Sequence, residues 1–167
     1  MISSEFLTEK VNDTYVYHSV GHLNTMIKML QSGIINAGVS DHGRENNRNY
    51  PIISVSRDRS YRYPMQGGVA QFVIDRNELK KHGIKIRPFA FNAGTNTPEI
   101  NGVKEVSKEE EILGPLPIRS PFVVQIEVFR NPTELYYPEH LPSENSKDWK
   151  QFLELAKLRN IPVVIKG

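Results

Sequence analysis

The spacing between one strand-like run and the next is what most restricts the folds open to this chain. Tyr15–Val20, Ile52–Ser56, Val69–Ile74, Ile84–Pro88, Phe122–Arg130 and Ile161–Ile165 read as strands, because they are rich in β-branched and aromatic residues or alternate at period two. Parallel neighbours need a crossover of a dozen or more residues, usually helical. The intervals here are too short for a regular series of such crossovers, and strands outnumber helices. The expectation is an α+β domain whose strands pair mostly antiparallel. The clearest strand is 122–130, where Phe122, Val124, Ile126 and Val128 alternate with Gln125 and Glu127, predicting one buried face and one partly wet face.

Helix signals are fewer. Leu23, Met26, Ile27 and Leu30 recur at i, i+3, i+4, i+7, and Gly33 follows as a C-terminal cap. Trp149, Phe152, Leu153 and Ala156 form a second stripe with Ser146 as N-cap. Asp75-Arg-Asn-Glu78 has capping-box spacing before a short helix that stops at Gly83, and Ser107-Lys-Glu-Glu110 repeats that spacing. Asn36–Asn49 and Ala90–Asn101 are long polar loops. Pro132, Pro138 and Pro142 make 131–145 an extended Pro-rich linker into a C-terminal helix and strand over 146–167. The whole of 1–167 reads as a single domain, since a chain of this length buries about two thirds of its unfolded surface in one core.

Composition removes several chemistries. There is no cysteine, which excludes disulfides, thiolate zinc sites and Cys nucleophiles. Gly67-Gly68 is not followed by the Lys-Ser/Thr of a phosphate-cradling P-loop, and no Gly-x-Ser-x-Gly elbow exists for a nucleophilic serine. His18 and His22 are four apart, but Gly21 breaks their shared face and no third ligand has an obvious place, so no metal is expected. No apolar run is long enough to span a bilayer, and Met1–Lys10 lacks the basic start and apolar core of a secretory signal, which makes the expected location cytoplasmic. The net charge of +2 conceals a basic centre: residues 44–87 carry ten basic and four acidic side chains, +6, between flanks of −2 each. A ligand bearing phosphates, either a nucleotide or a nucleic-acid backbone, suits that block.

Polar residues that interrupt apolar strands need explaining, because a hydroxyl or carboxylate buried without a partner costs a few kcal/mol, roughly. His18 lies within Tyr15–Val20. Ser54 and Ser56 alternate within Ile52–Ser56 ahead of Arg57-Asp58, and Glu111 directly precedes Ile112-Leu113. Taken singly, His18 reads as a structural histidine, the serines as solvent-facing, and Glu109–Glu111 as the first turn of a short helix favoured by its dipole.

Their order resembles a known pattern. Tyr17-His18 on a first strand, Ser54-Val-Ser-Arg-Asp58 with Tyr61 in the middle, and Glu109-Glu-Glu-Ile-Leu113 opening a late strand are similar to the three motifs of the ADP-ribosyltransferase superfamily. Ile53–Tyr61 and Val69–Pro88 also resemble small phage-encoded proteins of that fold. The resemblance implies an ADP-ribosyltransferase-like, mostly antiparallel split β-sheet core with a few short helices, and NAD as substrate. It implies that His18 bonds an NAD ribose hydroxyl, with Ser19 beside it. Ser54 or Ser56 would place the nicotinamide ribose or the catalytic carboxylate. Glu111 would be that carboxylate, with Glu109 the upstream member of the Glu-x-Glu; Glu110 is the alternative, since a run of three leaves the register open. His18, Ser54, Ser56 and Glu111 are thus the catalytic candidates. Arg57, Arg59 and Arg62 would contact the pyrophosphate, and Tyr61 or Tyr63 would stack on a ring. His in the first motif suits a diphtheria-toxin-like branch, whereas Ser-x-Ser suits an Arg-Ser-Glu branch.

On this reading the chain is an NAD-dependent ADP-ribosyltransferase acting on a macromolecular acceptor, protein or nucleic acid. A toxin or phage–host conflict role follows by family analogy, with an inhibitory partner protein and no membrane partner. The competing readings are a catalytically inactive binding module on the same fold, an RNA 2′-phosphotransferase-like enzyme, and an NAD glycohydrolase.

Overall fold

A computed structural model describes residues 14–38, 51–57, 68–88, 99–100, 103–104, 109–130 and 138–166. The strands are β1 (Tyr15–Val20), β2 (Ile34–Ile35), β3 (Ile52–Ser56), β4 (Ala70–Asp75), β5 (Ile86–Pro88), β6 (Glu99–Ile100), β7 (Val103–Lys104), β8 (Glu109–Leu113), β9 (Leu116–Pro117), β10 (Val123–Phe129) and β11 (Val163–Lys166). The helices are α1 (Leu23–Ser32), α2 (Arg76–Lys81) and α3 (Lys147–Leu158), with a 3₁₀ turn at Pro138–His140. Among the described residues, no helix is long and apolar enough to cross a membrane.

Seven strands form one sheet in the order β11-β10-β4-β1-β3-β8-β5. Every neighbouring pair in it is antiparallel except β10 with β11, which α3 connects and which is parallel. The architecture is α+β with a mostly antiparallel sheet, as the strand spacing predicts. Two small ribbons, β2–β9 and β6–β7, lie outside the main sheet. Pro88 ends β5, an edge strand, where a missing N–H costs no ladder bond.

One face of the sheet carries Val16, Val20, Ile53, Val55, Ala70, Phe72, Ile74, Ile112, Ile126 and Val128. These form the core together with Leu23, Met26 and Leu30 of α1, Leu79 of α2, and Trp149, Phe152 and Ala156 of α3. The helix signals act as the sequence predicts. The Asp75 carboxylate accepts from the N–H groups of Asn77 and Glu78, and the Ser146 hydroxyl accepts from Trp149 N–H. Gly33 ends α1 in the left-handed region at φ 77°, and a Cβ there would lie 2.7 Å from the Arg159 guanidinium. Arg159 donates to the carbonyls of Leu30 and Gln31, supplying the cation that the last turn of α1 lacks.

Three expectations are corrected. Glu109–Leu113 is a strand, as the three-motif resemblance implies, and not the first helical turn that its acids suggest when read singly; each carboxylate described in it finds a cation on a neighbouring element. The alternation of 122–130 is broken: Val123 pairs with Ile74 and Gln125 with Val73, so Val124 is the extra residue of a bulge and the core positions become Val123, Ile126 and Val128. The face of β10 expected to be partly wet buries Glu127 completely, 3.8 Å from the Lys166 ammonium. In addition, the described part of the Pro-rich segment is docked rather than simply extended. Its 3₁₀ turn places the His140 ring 4.5 Å from that of His22, and His140 Nδ1 donates to the Gly21 carbonyl. Arg130 donates to the Pro142 carbonyl while its guanidinium lies over Trp149.

Candidate functional site

The polar residues of interest occupy adjacent strands β1, β3 and β8. Register places Ser54 directly opposite Glu111, Ser56 opposite Glu109 and Tyr17 opposite Ser56. Opposed residues of an antiparallel pair have Cβ atoms about 5 Å apart and share a face. Ser54, Ser56, Tyr17 and Glu111 therefore project from the face opposite the apolar core, while Ile53, Val55, Ile112 and Glu110 project toward it. Ser56 and Glu111 are each 1% exposed, so this face is a covered polar surface and not a solvated one.

His18 arrives differently. Alternation along β1 turns it toward the face of Val16 and Val20, and it is half-buried. Its Nδ1 lies 2.9 Å from the Ser54 backbone carbonyl. A carbonyl only accepts, so Nδ1 carries the proton and, in the neutral ring, Nε2 is an acceptor. Tyr17 and Ser56 join β1 to β3, and one residue farther along β1 the imidazole spans to the neighbouring strand. Ser19, half-buried on β1, shares the face of Tyr17 and lies opposite Gln71. The arrangement brings the His18 ring, the Ser54 backbone and the Glu111 strand position into one three-strand patch. The His18 side chain enters it from the core side and Glu111 from the other face.

The Glu run divides into separate devices. Glu110, 1% exposed, has both carboxylate oxygens bound by Arg76 at the start of α2: Nε donates to Oε1 at 2.7 Å and Nη2 to Oε2 at 2.9 Å. Arg57, just past β3, lies 3.8 Å from the same Oε1. Glu111 receives a different cation, Arg87 of β5, which donates from Nε to Oε2 at 2.9 Å. Arg87 is directly opposite Glu111 in the β5–β8 register. The side chain of Glu109 lies outside the described residues, as do Arg59, Arg62, Tyr61 and Tyr63 and most of the two long loops. Arg57, predicted to meet a pyrophosphate, is placed beside Glu110.

In the sequence Arg76 and Arg87 stand out only as members of the basic block, with no partner indicated for either. Charge complementarity was the available signal, since a run of three Glu on a strand demands cations from its neighbours. Among the described residues no group of three or more His, Asp and Glu is arranged to hold a metal ion. The groove lined by Leu153, Ala156, Asn160, Ile161 and Val163 adjoins β11, at the opposite edge of the sheet from β5 and Glu111.

What this patch can do chemically follows from its parts. On the face away from the core it presents an anionic carboxylate held by a cation, and serine hydroxyls, both suited to bonding sugar hydroxyls, while the imidazole of His18 holds the Ser54 backbone from the core side. No protein-family model and no curated protein matches the chain. Solved structures do: DarT of Thermus sp. 2.9 in complex with NAD+ superposes with a TM-score of 0.56 at 10% identity, covering 93% of this chain and 97% of that one. The same protein in complex with ADP-ribosylated single-stranded DNA gives 0.53 at 13% identity over 92% of this chain and 94% of that one. With carba-NAD+ it gives 0.53 at 11% over 92% and 95%. At these identities the likeness establishes the fold, which is that of the ADP-ribosyltransferase DarT.

Proposed function

We propose that the chain is an NAD-dependent ADP-ribosyltransferase whose acceptor is single-stranded DNA. The observation that carries the reading is the register of β3 on β8, which sets Glu111 opposite Ser54 while His18 bonds the Ser54 carbonyl. The complexes of DarT with NAD+ and with ADP-ribosylated single-stranded DNA support the choice of substrate and acceptor. The basic 44–87 segment suits a polyanionic strand.

In this reading the bond between the nicotinamide nitrogen and the ribose C1′ breaks, and nicotinamide leaves with the electron pair, already a good leaving group because it is cationic in NAD. The barrier is the oxocarbenium-like ribose. Glu111 accepts a hydrogen bond from the 2′-hydroxyl, and its hold strengthens as positive charge builds on the sugar, the same differential effect used in glycoside hydrolysis. Ser54, on the face of Glu111, orients a ribose hydroxyl, and His18 acts from the core side by holding the Ser54 backbone. A nucleophilic atom of the DNA strand forms the new bond to C1′, and the proton it carried passes to solvent. Glu110 takes no part, since Arg76 holds both of its oxygens.

The test is calorimetric titration with NAD, followed by incubation of NAD with a mixed-sequence oligonucleotide and mass analysis of the product. NAD binding, addition of one ADP-ribose to the DNA, and loss of transfer by about 10³-fold in Glu111→Gln, some 4 kcal/mol of transition-state stabilisation, are expected. NAD binding without any DNA product but with free ADP-ribose would make the protein a glycohydrolase. Absence of NAD binding would remove the reading.

A further inference from the structure

The Glu111 carboxylate is 1% exposed, whereas the Arg87 side chain that bonds it is 40% exposed. A buried carboxylate is tolerated as an anion only where a cation or several donors face it; otherwise it takes up a proton or turns to water. Several described residues face Glu111 from the elements around it. Arg87 lies opposite on β5 and Ser54 opposite on β3. Along β8, Glu109 is two residues away, and Glu110 is turned to the other face toward Arg76 and Arg57. From β1, His18 bonds the Ser54 carbonyl. Arg87 is therefore the cation directly opposite Glu111.

We infer that Arg87 is a positioning residue for Glu111: its Nε–H fixes the Oε2 carboxylate oxygen and holds the anion in the orientation used in the reaction proposed above. Two physical consequences follow. The Nε contact at 2.9 Å, in register across an edge strand, restrains the rotation of the carboxylate. It also keeps the group anionic in a place where burial favours the neutral acid, and a neutral acid is a poorer acceptor for the 2′-hydroxyl. A lysine keeps the charge but lacks the planar fork, so it restores ionisation better than orientation.

The experiment compares the unmodified chain with Arg87→Met and Arg87→Lys by NAD binding, by kcat and KM for NAD consumption across pH, and by carbon NMR titration of Glu carboxyls, with Glu111 assigned through Glu111→Gln. For Arg87→Met the expected result is a kcat about 10²-fold lower with NAD affinity within about threefold. The acidic limb of its pH profile and the Glu111 titration should both move up by about one pH unit or more. Arg87→Lys should return the acidic limb but only part of the kcat. An Arg87→Met enzyme with unchanged kcat overturns the inference. So does one whose kcat falls while the pH limb and the Glu111 titration stay put, because that is a structural loss. If the unmodified chain consumes no NAD, the functional reading fails on that ground alone. The NMR arm still decides whether Arg87 holds Glu111: an upward move in Arg87→Met sustains the pairing, and no move overturns it.

Discussion

Arg76→Met is the most informative single perturbation, because it asks whether a buried carboxylate in the Glu run is structural. Glu110 is 1% exposed and Arg76 closes on it with two bonds at 2.7 and 2.9 Å. Removing one partner of such a pair strands a desolvated charge, which costs about 3–5 kcal/mol. Arg57 remains 3.8 Å from Oε1 and still opposes the charge, which argues for the lower end, about 3 kcal/mol. For a domain of this size that is a fall in melting temperature of roughly 6–12 °C. Arg76→Met/Glu110→Met removes both charges and places apolar side chains in a space that already borders Val55 and Ile112. Its cost should be within about 1 kcal/mol of the unmodified protein. Urea unfolding of the two single variants and the double variant gives the coupling energy directly. A single Arg76→Met loss under 1 kcal/mol, or a double variant whose cost is the sum of the singles, would refute the account of Glu110 as a closed, buried pair.

Two further outcomes follow. Gly33→Ala should cost about 2 kcal/mol by urea unfolding, since alanine is strained at φ 77° by about 1 kcal/mol and its Cβ displaces Arg159 from the α1 carbonyls; a change under 0.5 kcal/mol would contradict this. Asp75→Ala should cost about 1 kcal/mol on the same assay through loss of the α2 N-cap, and Asp75→Asn, which still caps, should recover most of it.

How much of this was legible in sequence depends on the range of the forces involved. Gly33, Asp75 and Ser146 act on residues within a few positions, so the α1, α2 and α3 boundaries could be read locally. Strand existence was legible from alternation, and antiparallel pairing from short intervals. The bulge at Val124 was not, because it is set by which residues of β4 lie opposite. Nor was the burial of Glu127, which depends on Lys166, 39 positions later and brought alongside by α3. The same limit explains Glu109–Glu111. Locally, three acids after Ser107 resemble a helix start, and only cations delivered by β5 and α2 make a strand there tolerable. His18, Ser54 and Glu111 could be singled out as polar residues inside apolar runs. Their placement on neighbouring strands, and the arrival of His18 from the core side, needed the sheet order.

That sheet order gives the Glu run its logic. Side chains alternate along β8, so Glu110 and Glu111 must face opposite sides, and a slip of one residue would exchange them. Glu110 would then face Ser54 and Glu111 would enter the apolar core. Two features oppose that slip. Ile112 packs against Ile53 on the core face, and Arg76, fixed at the first turn of α2 by the Asp75 cap, grips the carboxylate that reaches it from that face. Such a slip would leave Arg76 bidentate to nothing or force Glu111 through the sheet, at a cost of several kcal/mol, roughly that of breaking a buried pair. The Glu110–Arg76 pair thus fixes which of two adjacent glutamates stands opposite Ser54, the position that the proposed reaction uses.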